Sequence, residues 1–163
     1  MAELTNLETK IAEVIGLAQA AQGATEKVEG LVDDSELKQT LQRMREEAVE
    51  TEERTISVAE GLDGKKTAIL EKARETKQEA TQMMQTYLGS DADELDGFEF
   101  LTMAEAGEVG HWEILAAMNE RARIDELQEV IQWVTPIQQR HFQKAREGSL
   151  QIAAEEDPNA PSE

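Results

Sequence analysis

The chain has 163 residues, no cysteine, and a formal charge of −19 from 35 acidic and 16 basic side chains. That length fits one domain able to bury its own core, and the lack of cysteine excludes disulfides and thiolate metal sites. So negative a surface repels phosphate backbones and anionic lipid, which argues against nucleic acid or a membrane as partner. The same charge suits solubility and cation attraction, or a salt-rich host; composition does not separate these. Ala, Glu, Gln, Leu, Met and Arg are abundant, aromatics are only 4%, and β-branched runs are absent, so the expected class is all-α.

The opening stretch, Met1 to Thr9, is polar and acidic, unlike a secretory signal. No run of about 18 apolar residues occurs anywhere, so a cytoplasmic protein is expected. Leu4, Leu7, Ile11, Val14, Ala18, Ala21, Thr25, Val28 and Val32 follow 3-4 spacing and predict a long first helix. Gly16, Gly23 and Gly30 recur every seven residues along it. They mark either a second helix packed close behind or glycines tolerated on a solvated face. Asp33-Asp34-Ser35 supplies a break and a cap. A second helix then reads Leu37, Leu41, Met44, Ala48, Thr51, Thr55, Val58 and Leu62, ending at Gly61-Leu62-Asp63-Gly64. A third reads Ile69, Ala73, Thr76, Ala80, Met83 and Tyr87, stopping at Gly89-Ser90.

Residues 89–97 read as a loop and 98–122 as a fourth helix. Phe98, Leu101, Met103, Val109, Trp112, Ile114 and Met118 surround that helix on nearly every side, which predicts burial. A fifth helix, 124–154, carries Leu127, Val130, Val134, Ile137, His141, Ala145, Gly148 and Ile152, with a kink expected at Pro136. One bundle over residues 1–154 is expected, followed by a disordered acidic tail, 155–163.

Chemistry is expected where polarity intrudes on these stripes. On the fourth helix the row Leu101, Ala104, Glu108, His111, Leu115 and Met118 carries a Glu-x-x-His pair. A buried carboxylate is costly unless compensated, and a divalent cation compensates it. On the fifth helix His141 falls on the core row, three residues after Gln138. Glu8 flanks the first helix stripe and Glu47 the second, while Glu50 lies further round toward solvent. One Glu from each of two helices plus a Glu-x-x-His from each of two others is the ligand set of di-metal carboxylate bundles. Oxygen and imidazole donors suit iron, manganese or zinc. The alternative is a hydrogen-bonded core histidine and a solvated acidic face. Trp112 and Trp133 read as core anchors.

Several stretches, in order, resemble the ferritin-like YciE/YciF stress-protein family. NLETKIAEVIGLAQAA is similar to its opening helix, with Glu8 as the ligand counterpart. ELKQTLQRMREEAVETEER is similar to its second, where Glu47 stands in place of a His and Glu50 and Thr51 agree. ILEKARETKQEATQMM resembles its crossover helix. GHWEILAAM matches best: His111, Glu113 and Ile114 agree, and Gly110 replaces a Glu. Gln138-Gln139 stands where the final helix usually has a Glu pair. The resemblance implies a ferritin-like antiparallel four-helix bundle with an additional crossover helix, possessing a di-iron or di-manganese type centre and a stress-related role. Candidate metal ligands, from spacing and resemblance together, are Glu8, Glu47, Glu50, Glu108, His111, Glu113 and His141. The other expectation is a metal-free bundle with a structural or interaction role. A homodimer is expected in either case, to cover the glycine stripe and the apolar fourth helix. No reaction or substrate is legible.

Overall fold

A computed structural model describes residues 2–162; Met1 and Glu163, the outer ends of the expected bundle and tail, lie outside the described residues. Those residues form five α-helices and no strand: α1 (Asn6–Glu29), α2 (Ser35–Glu60), α3 (Lys66–Tyr87), α4 (Glu94–Ala122) and α5 (Asp125–Glu155). The all-α expectation holds. No helix among them is long and apolar enough to cross a membrane.

Side chains set the helix starts. Thr5 accepts from the Glu8 backbone N–H while the Glu8 carboxylate accepts from that of Thr5, a capping box. Asp34 accepts from Glu36 and Leu37 at the start of α2. Asp93 and Asp96 make a second capping box, so α4 begins at Glu94 and takes in the last four residues of the expected 89–97 loop. The α4–α5 joint is tight. Arg123 adopts a left-handed conformation, φ 55°, and the buried Asn119 side chain bridges it by accepting from the Ile124 N–H and donating to the Ile124 carbonyl. α5 runs on through Pro136, whose ring forgoes one backbone donor.

α1 is the hub, packing against α2, α3 and α4, while α5 packs against α4 and α2. α3 leans mainly on α1 and barely touches α4. Gly16 explains how α3 comes so close: it is buried, and a methyl there would overlap the Ala73 carbonyl oxygen and Thr76 Cβ of α3. Thus a helix does sit behind the glycine stripe, at its first position. Gly23 faces open space and Gly30 caps the helix end. One apolar cluster joins Ile11, Ile15, Ile69, Trp112, Leu115, Leu127 and Val134. A second, toward the other end, joins Val28, Leu41, Met44, Phe98, Leu101 and Ile152. Between them lies the polar interior.

Candidate functional site

The buried row of α4 differs from the one expected. Phe98, Leu101, Glu105, Glu108, Trp112, Leu115 and Asn119 point inward. Hence Glu105 takes the place given to Ala104, and Trp112 the place given to His111. Glu105 is 1% exposed and Glu108 7%. Met103 and Ile114 are exposed, so α4 is not buried all round.

From Glu105 a chain of polar contacts crosses the bundle. Glu105 Oε2 accepts a hydrogen bond from Gln138 Nε2 and lies 3.8 Å from His141 Nδ1. The other ring nitrogen of His141, Nε2, is 3.3 Å from Glu47 Oε1. Glu47 in turn receives the guanidinium of Arg140, and Arg43 Nε stands 3.5 Å away. The protonation states follow from these surroundings. Burial would raise the Glu47 carboxyl, but hydrogen bonds from Arg140 and His141 outweigh it and hold it below the ordinary range. Burial pushes the His141 imidazole down, against the pull of Glu47, so the ring favours its neutral form. Burial lifts Glu105 to about 7, with Gln138 opposing. Glu108 is raised well above its ordinary value, by burial and then by the charge of Glu105.

The remaining candidates stand apart. The Glu8 carboxylate accepts from the Thr5 backbone N–H and from Lys65, at 3.2 Å; burial alone would raise it, but those bonds hold it low. Glu50 is exposed and pairs with Arg54 at 2.8 Å. Glu113 is exposed. His111 is half exposed, its Nδ1 2.8 Å from the Gly107 carbonyl and its Nε2 3.7 Å from Glu13. Of the seven candidates, then, Glu47 and His141 meet directly, and Glu108 joins them only by way of Glu105. Glu105 escaped the sequence reading and Gln138 was noticed only as a variant of a ligand pair. The signal for both was present: Leu101, Glu105, Glu108, Trp112 and Leu115 keep 3-4 spacing, and so do Val134, Gln138 and His141.

Among the described residues no group of three or more His, Asp or Glu side chains is placed to hold a metal ion. The reason is visible in the chain of contacts. His141 Nε2 faces Glu47 while its Nδ1 stands 3.8 Å from Glu105, beyond hydrogen-bond reach, and Arg140 and Arg43 already neutralise Glu47. These groups form a linear polar series rather than a shared coordination sphere, and they do not fit the di-metal centre that the resemblance implies.

Glu105 and Glu108 also border a cleft of about 310 Å³ between α1, α3 and α4. Leu17, Ala20, Ala21 and Ala24 of α1 form one wall. Ala80, Thr81, Met83 and Met84 of α3 form another, and Phe100, Leu101, Met103 and Ala104 of α4 the third. The cleft exists because α3 is tied to α1 near Gly16 but does not close onto α4. Small side chains on the facing α1 wall keep it open. The Glu108 carboxyl has no hydrogen-bond donor among the described residues, yet no sealed polar side-chain atom there lacks a partner. Its oxygens therefore reach the cleft.

Fold and interior together define an all-α helical bundle with a buried carboxyl–imidazole chain and an apolar cleft. No family model, curated protein or solved structure matches the chain.

Proposed function

We propose that this protein is a ferritin-like bundle that works as a binding module for a small apolar molecule rather than as a metal enzyme. In this reading α1, α2, α4 and α5 are the four-helix bundle, and α3 is the crossover helix laid against α1. The packing order of α1 on α2, α2 on α5, α5 on α4 and α4 on α1 supports it. The observation that carries the function is the cleft: apolar on three helices, about 310 Å³, with ionisable groups only at its floor and edge. Specific small-molecule sites share this pattern of apolar walls and a few placed polar groups, at about 300–1,000 Å³. An apolar cavity of about 150 Å³ takes a benzene ring, so two fused rings are the matching size here.

The test is calorimetric titration of the full chain with naphthylmethanol, an uncharged two-ring probe. One molecule is expected to bind per chain, and Ala104→Trp, which fills the cleft from the α4 wall, is expected to abolish it. Absence of binding to the parent protein would overturn the reading, as would binding that survives Ala104→Trp in a folded variant. The metal reading has its own readout. Protein freed of metal by chelator should show no saturable binding of Mn(II), Fe(II) or Zn(II) at the Glu47–His141–Glu105 series, and an unchanged melting temperature. Near-integral binding that His141→Ala removes would restore a metal centre.

A further inference from the structure

We infer that the cleft selects a ligand with an amino group, received as the ammonium ion by the Glu108 carboxylate with Glu105 behind it. This rests on the cleft being a binding site, and it names the chemistry that site reads. Two facts carry it independently. Glu108 is 93% buried on its 7% exposure and is the polar side chain aimed into the cleft without a protein donor of its own. Among the described residues no Lys or Arg borders the cleft.

The neighbouring imidazoles do not fill that role. His111, at the rim, is turned to the Gly107 carbonyl and toward Glu13. His141 sits beyond Glu105, engaged with Glu47 on its far side. Two adjacent carboxyl groups in an apolar wall resist ionising together. An ammonium group placed at Glu108 reverses that, because it neutralises the charge and donates the missing hydrogen bonds. A carboxylate ligand would meet like charge, and an alcohol would gain only a neutral hydrogen bond. The net charge of −19 adds a long-range pull on cations and a push on anions.

The experiment compares naphthylmethylamine, naphthylmethanol and naphthoate by calorimetry on the full chain at about pH 8. The amine should bind at least about tenfold more tightly than the alcohol, as a charge-assisted bond exceeds a neutral one by about that factor. Naphthoate should bind more weakly than the alcohol. In Glu108→Gln, which keeps shape and removes charge, the amine's advantage over the alcohol should disappear. Circular dichroism of the variant checks that it folds. Equal affinities for amine and alcohol in the parent protein would overturn the amine inference and leave the cleft reading standing. Amine selectivity that survives Glu108→Gln would do the same. Failure of all three probes would remove both readings.

Discussion

A methyl group at position 16 has nowhere to go, whereas at position 23 it meets nothing within 4 Å. These two glycines of one stripe therefore make opposite predictions. Gly16→Ala forces the α3 backbone off α1 and should destabilise by about 1–3 kcal/mol, the range of overpacked cores. Gly23→Ala relieves a helix interior of glycine and should stabilise by about 0.5–1 kcal/mol. Urea unfolding of both variants decides; two changes of the same sign would contradict the α1–α3 packing. Burial also sets the pH behaviour of Glu105. Its folded pKa, about 7, lies above the ordinary 4.5, so the folded state holds the proton more firmly than the unfolded chain. The folded state is thus favoured below the unfolded value and loses that advantage as pH rises to about 7. Glu105→Gln keeps an acceptor for Gln138 and removes the titration. Relative to the parent it should gain stability between about pH 5 and 8, by up to roughly 3 kcal/mol. His141 and Glu47 are common to both proteins and largely cancel in the difference, whereas Glu108 loses a neighbouring charge in the variant, which adds to the gain in the same direction. A constant difference over that range would contradict a buried, titrating Glu105.

Among the elements, the legible ones are those with contrast between faces. α2 alternates apolar and charged rows, so its boundaries and the outward Glu50 emerge from spacing, whereas Glu47, which by spacing only flanks the stripe, is engaged by Arg140 and His141 of α5. In α4 apolar residues occur on every side, so periodicity yields the helix but not its rotation about its axis. Packing of Trp112 and Leu115 against α1 and α5 chooses that rotation, which brings in Glu105 and leaves His111 at the rim. That one-residue phase error is why the Glu-x-x-His pair did not become a buried pair. Equally, no local pattern encodes the cleft, because it depends on α3 failing to close against α4. α3 itself is uneven. Its buried residues, Ala68, Ile69 and Ala73, all lie in its first half, and beyond Thr76 much of it faces solvent. Amide hydrogen exchange should therefore be faster over residues 77–87 than over 69–76, since few apolar contacts hold that half in place. Bound naphthylmethylamine should slow exchange near Ala80 to Met84, on the cleft wall. Uniform protection along α3, unchanged by ligand, would mean that the helix is held by something other than α1.

For the whole molecule, 35 acidic and 16 basic side chains leave a large unbalanced charge, and the ion pairs offset it only locally. Several are short-range pairs within one helix, such as Lys10–Glu13 and Lys144–Glu147, and exposed pairs of that kind contribute little to stability. What remains is diffuse repulsion among carboxylates, which favours the expanded chain. Added salt weakens that repulsion before it weakens the close pairs, since the Debye length falls from about 30 Å at 0.01 M to about 8 Å at 0.15 M. The melting temperature should therefore rise most steeply over that low range of sodium chloride and flatten above it. Excluded-solute effects have the opposite profile: sulfate strengthens apolar burial progressively toward molar concentrations. A chloride curve that is flat below about 0.15 M and climbs only at molar salt would mean that the acidity is not a folding burden here. It would favour the salt-rich host as the reason for so negative a surface. A steep early rise instead makes the same excess charge a standing cost, consistent with a surface that draws cations toward the cleft.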